Sequence, residues 1–85
     1  PLPDLTAERR KDLAKLAGEY GEKAKIAIRN VRRDGMEMLK EDEKKKDISE
    51  DERKRSEDEV QKLTDKHVAE TDEAVAKKVQ EILTQ

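Results

Sequence analysis

Ile28-Arg29-Asn30-Val31-Arg32-Arg33-Asp34 carries three arginines at spacing i, i+3 and i+4. Residues three and four apart are neighbours on a helix, so Arg29, Arg32 and Arg33 crowd one surface. Ala27 and Val31 turn toward another, which can be buried. Guanidiniums this close repel one another unless an anion lies among them. Arginine's planar fork also fits phosphate oxygens. The stretch therefore reads as the middle of a long helix with a phosphate-contact surface. Its alternative is a solvated face that is merely basic.

Working outward, the helix is expected from Ala7 to about Lys45, roughly 58 Å long at 1.5 Å per residue. Thr6 is a suitable N-cap, and Glu8 lies near the positive end of the helix dipole. Pro1-Leu2-Pro3-Asp4-Leu5 cannot be helical, because proline lacks an N–H and restricts its predecessor. Residues 1–6 are expected as an extended lead-in. At about 100° per residue, Leu13, Ala17, Tyr20, Ala24, Ala27, Val31 and Met38 fall within about 40° of Leu13 and form the expected buried stripe. Leu16, Ile28 and Leu39 widen it. Arg10, Lys11, Lys25, Arg29 and Arg32 lie about 60° to 160° round from Leu13, in one basic edge. Gly18, Gly21 and Gly35 read as small residues at close contacts.

The run Lys44-Lys45-Lys46 sets positive charge at the negative end of this helix, which makes 7–46 the basic element. Residues 47–49 form a loop and N-cap. Ser49 and Glu52 make an S-x-x-E capping box, with three carboxylates in the first turn of a second helix over residues 50–85. Its expected inner residues are Val60, Leu63, Thr64, His67, Val68, Thr71, Ala74, Val75, Val79 and Ile82. The turn before Val60 is nearly all charged and is expected to be solvent-exposed or frayed.

Charged residues are 49% of the 85-residue chain, and the only aromatic is Tyr20, a composition that belongs to long helices and not to a compact core. Residues 7–46 hold 13 basic against 9 acidic side chains and residues 47–85 hold 7 against 12, so a basic half precedes an acidic one. Antiparallel packing of the halves follows, with the first as the polyanion binder. The fold class is thus all-α, an antiparallel hairpin of two long helices. Leu16 lies about 60° to one side of Leu13, Ile28 and Leu39 lie about 60° to 80° to the other, and Ile26 falls outside the stripe, a spread wider than one partner helix covers. A third helix or a second copy of the hairpin is therefore expected against the uncovered apolar flanks.

Catalytic chemistry has little to work with. There is no cysteine, one histidine (His67), and no glycine-rich phosphate loop. His67 with Asp65 or Glu70 would need further ligands to hold a metal, so His67 reads as a packing residue. Paired-carboxylate catalysis has no support in carboxylates that any charged helix carries. No enzyme, catalytic residue, metal or cofactor is expected. No apolar run approaches the ~20 residues of a membrane span, and the lack of cysteine suits a reducing cytoplasm.

Several segments resemble one family. Leu5-Thr6-Ala7-Glu8-Arg9-Arg10-Lys11-Asp12-Leu13, following Pro1-Leu2-Pro3, resembles the opening of the second long helix in bacterial ribosome recycling factor. Ala27-Ile28-Arg29-Asn30-Val31-Arg32-Arg33-Asp34 resembles that family's most characteristic segment. Ile48-Ser49-Glu50-Asp51-Glu52 and Val60-Gln61-Lys62-Leu63-Thr64-Asp65 resemble the opening of its third helix and a motif within it. The resemblance implies a three-helix bundle whose first helix, with an inserted β-rich domain, is missing from this chain. It implies a translation factor that works with elongation factor G to split ribosomes after termination. It further implies contacts to large-subunit ribosomal RNA through Arg10, Arg29 and Arg32, with Arg33 and Lys25 as neighbours. The competing reading is a helical-hairpin or coiled-coil module that binds a protein partner, or itself, without RNA. A third is a partly disordered charged helix.

Overall fold

Thr6 has extended backbone angles, and its hydroxyl accepts a hydrogen bond from the Arg9 N–H at 3.0 Å, opening α1 over Ala7–Lys44. A computed structural model of the chain describes residues 6–84; the expected lead-in at residues 1–5 lies outside them. The capping box forms as its spacing predicts. The Glu52 N–H donates to Ser49 Oγ and the Ser49 N–H donates to Glu52 Oε1, both at 3.1 Å, and α2 follows over Glu50–Thr84. The Ser49 N–H holds the Glu52 carboxyl below its usual range, and Lys54 does the same for Glu50.

Lys45 and Lys46 lie beyond the helix, in the turn. The Lys46 N–H bonds to the Glu43 carbonyl and the Asp47 N–H to the Asp42 carbonyl, both at 2.9 Å. These are the paired bonds of a Schellman motif, which requires a left-handed residue between them. Lys46 fills that position with φ 64°, where glycine is favoured.

The helices run antiparallel. Gly21 lies against Val75, Lys25 meets Asp72, Arg32 meets Gln61, and Glu43 meets Arg53. The result is a rod of 63 × 18 × 15 Å with a radius of gyration of 19.3 Å, against about 12 Å for a compact chain of this length. The less exposed residues of α1 include Arg10, Ala14, Ala17, Gly21, Lys25, Ile28, Arg32, Met36, Leu39 and Glu43, with Leu13, Gly18, Gly35 and Asp42 beside them, and those of α2 include Glu57, Val60, Thr64, Val68, Thr71, Val75, Val79 and Ile82. Both sets repeat every eleven residues. That period, about 3.67 per turn, carries the seam about 20° round a straight helix with each repeat, in the opposite sense to a heptad seam.

This seam departs from the expected stripe. It lies about 90° round α1 from Leu13 at 100° per residue, along the edge where Ile28 and Leu39 stand. Tyr20, Val31 and Met38 are 63%, 71% and 66% exposed. Ala24, Ala27, Leu63, His67 and Ala74 are also exposed. The cause is steric. Gly21 against Val75 lets the backbones approach, and Tyr20, Val31 and Met38 then stand to one side of the contact line. No large hydrophobic side chain among the described residues is buried; the buried residues are Gly21 and Thr64, the latter still 9% exposed. Of the three glycines, Gly21 makes the close contact, Gly35 has Val60 at 3.9 Å from an added Cβ, and Gly18 faces open space.

The charged turn before Val60, expected to be solvent-exposed or frayed, is helical; Asp58 and Glu59 are exposed, while Ser56 and Glu57 are half-buried. Arg53 bridges Glu43 on α1 and Glu57 at 2.7 Å on its own helix, and all three are half-buried. One guanidinium thus satisfies two carboxylates at the loop end of the rod.

A Cβ at position 21 would stand 2.5 Å from Val75 Cγ2. Gly21→Ala is expected to destabilise the hairpin by about 1–3 kcal/mol through overpacking, whereas Gly18→Ala should stabilise it by up to about 1 kcal/mol. Urea midpoints followed by circular dichroism check both. By the same measurement Lys46→Gly should raise stability by about 1 kcal/mol, through relief of the left-handed backbone.

Candidate nucleic-acid interface

The seam divides the rod into two unlike sides. On one side Ala27, Ile28, Val31, Val60 and Leu63, with Arg32 at the seam edge, line an apolar groove, continued toward the other end by Leu13, Leu16, Tyr20, Ala24 and Ala74. On the other side Arg29, Arg32, Gln61, Asp65 and Asp72 line a polar trough, continued by Arg33, Lys40 and Asp58. All of the basic residues singled out in the sequence from Lys25 to Arg33 belong to the seam or to this polar side.

The expected basic edge is not uniform, because its members differ in what they touch. Arg10 Nη1 donates to the Ile82 carbonyl at 3.0 Å. The last turn of α2 has no basic residue of its own, so Arg10 supplies positive charge to that negative helix end. Lys25 Nζ lies 2.8 Å from Asp72 and 2.9 Å from Glu22, and is only 15% exposed. The bond to Asp72, then that to Glu22, raises its pKa above the ordinary lysine value. Its charge is therefore matched within the hairpin. Arg32 is half-buried and donates through Nε to Gln61 Oε1 at 2.6 Å. Arg29 and Arg33 are exposed, with Asp34 at 4.0 Å from Arg33 Nε, the limit of an ion pair. Arg10, Lys25 and Arg32 thus reach toward α2, while Arg29 and Arg33 project from the outer flank of α1.

Sequence reasoning missed the acidic companion of this edge. Asp51, Asp58, Asp65 and Asp72 recur every seven residues on α2. Asp58, Asp65 and Asp72 line the polar side beside the basic residues of α1. Their spacing was visible, but its meaning needed the register that sets Lys25 against Asp72. Anions therefore meet positive potential from the α1 flank and negative potential from the α2 flank.

His67 sits at the groove margin, with Nδ1 3.4 Å from Glu70 and its side chain 55% exposed. Among the described residues no group of three potential ligands is arranged to hold a metal ion. No helix among them is long and apolar enough to cross a membrane.

Residues 1–83 match the family model described as ribosome recycling factor. The ribosome-recycling factor of Erythrobacter litoralis is 78% identical over 85 residues, covering 100% of this chain and 46% of that protein. Those of Sphingopyxis alaskensis and Novosphingobium aromaticivorans are 66% and 68% identical over 83 residues, covering 98% of this chain and 45% of each. The chain spans less than half the length of these relatives. They belong to a family of non-enzymatic translation factors. With the family model matched along almost all of its length, this two-helix chain belongs to the ribosome recycling factor family.

Proposed function

We propose that the chain docks on folded RNA of the large ribosomal subunit through the polar side of the rod, from Arg32 at the seam to the outer flank of α1. Arg29, Arg32 and Arg33 would make the principal contacts, with Lys25 and Arg10 holding the hairpin that presents them. In this reading the chain is the helical, RNA-facing part of a factor that acts in the cytoplasm with elongation factor G to split post-termination ribosomes. The observation that carries it is the two-sidedness of the rod. Arg29 and Arg33 are exposed on the side away from the apolar groove, so that groove can be covered while the guanidiniums stay available.

The mode of recognition follows from what the side chains offer. Tyr20 is the only aromatic and lies on the groove side, with Lys23 Nζ 5.8 Å from its ring centroid. Base stacking is therefore absent from the polar side, and phosphate contact and shape must do the reading. The acidic row on α2 restricts the approach of a phosphate backbone to the α1 flank, which fixes the orientation of the rod on RNA.

A second reading rests on the groove itself. A hairpin without one fully buried hydrophobic side chain among its described residues suits a module that zips onto a protein partner and whose charged side only solubilises it. Sedimentation equilibrium across concentration and salt, with and without large subunits, separates the two readings. RNA docking gives a complex that dissolves as salt rises. Self-association untouched by added subunits favours the module.

Arg32→Ala and Arg29→Ala are each expected to weaken binding to purified bacterial large subunits by about tenfold, what one charge-assisted hydrogen bond contributes. Each should also make the log–log salt dependence shallower by about one. Lys62→Ala, on the outer side of α2, should leave both unchanged. Equal losses for all three variants in a co-sedimentation assay would overturn the proposal. Binding without subunit splitting is expected of the chain alone.

A further inference from the structure

We propose that Gln61, held by Asp65, is a positioning residue that aims the Arg32 guanidinium outward without neutralising it. This rests on the reading of Arg32 as a phosphate contact. Arg32 Nε donates to Gln61 Oε1 at 2.6 Å, and Gln61 Nε2 donates to Asp65 Oδ1 at 2.9 Å. Arginine only donates and a carboxylate only accepts, so one orientation of the amide serves both neighbours. The amide is thereby locked, and the guanidinium plane with it. With Nε engaged, the edge left for a forked pair of bonds is the one formed by Nη1 and Nη2.

The choice of an amide matters. Lys25, seven residues earlier on α1, meets the equivalent aspartate, Asp72, directly, and its charge is matched there. Asp65 stands in the same row, yet Gln61 lies between it and Arg32. A neutral acceptor fixes the direction of a cation and leaves its charge intact, whereas a carboxylate fixes and neutralises together. Arg32 is also half-buried, so its stem is confined by the seam and only its tip remains to be directed.

Three variants of the 85-residue chain test this, with helicity by circular dichroism as a control; alanine at a helix interior preserves the fold. In Gln61→Ala the Arg32 Nε–Hε resonance should lose its order in ¹⁵N relaxation, and binding to purified bacterial large subunits should weaken about fivefold, what one ordinary hydrogen bond contributes. In Gln61→Glu the resonance should stay ordered while binding weakens and its salt dependence becomes shallower, because the charge is now matched. Arg32→Ala/Gln61→Ala should bind no more weakly than Arg32→Ala. Retained Nε–Hε order in Gln61→Ala, or losses that add in the double variant, overturns the positioning role. Unchanged binding in Arg32→Ala overturns the RNA reading beneath it, and is told apart because the resonance reports on Gln61 without any RNA.

Discussion

Two helices that pack against each other can each offer only one line of residues to the contact, and here that line is chosen by closeness of approach. Gly21 against Val75 leaves no room for even a methyl group. Once the backbones meet there, the antiparallel register follows, and so does everything that depends on it. Lys25 comes opposite Asp72, Arg32 opposite Gln61, and Arg53 opposite Glu43. The same choice turns the larger apolar side chains to one side and leaves the guanidiniums of Arg29 and Arg33 on the other. Sidedness is thus a by-product of a small-residue contact, and it is sidedness that makes a combined role in assembly and RNA docking physically consistent.

The electrostatic pattern acts at two scales. Over the whole chain a basic helix lies along an acidic one, which favours the antiparallel pairing. At the level of single side chains the pairing sorts cations into those matched within the hairpin and those left to solvent. Lys25 belongs to the first group and Arg29 to the second. Arg32 stands between them, anchored by a neutral amide. Exposed pairs such as Lys54–Glu50 and Lys78–Glu81 add little to stability. The bridge from Arg53 to Glu43 and Glu57 is better shielded, and it joins the two helices where the loop leaves them.

The sequence carried the local chemistry of this fold plainly. Thr6, and Ser49 with Glu52, announce helix starts because capping needs only a side-chain oxygen at a fixed offset from an orphan N–H. The hairpin and its antiparallel sense were likewise readable from two charged helices and a short loop. What could not be read was which side of α1 meets α2. Hydrophobicity favours Tyr20, Val31 and Met38 for burial, yet contact geometry favours Gly21, with Lys25 and Arg32 reaching across. A stripe as wide as that from Leu16 to Leu39 holds more than one possible seam, and pattern alone does not rank them. For the same reason the basic edge looked continuous in projection. Its division into matched and open cations depends on partners on the other helix.

The contact between Arg10 and the Ile82 carbonyl joins residues 72 positions apart in sequence, whereas the Schellman turn and the capping box lie within a few residues of the loop. Closing a short loop is entropically easy and each further turn then adds neighbouring contacts, so the hairpin zips from the loop toward its open end. Arg10 can find its acceptor only when that zipping is complete. The guanidinium is therefore a latch at the far end of the rod, and the final turn of α2 is the last part to be secured and the first to be released.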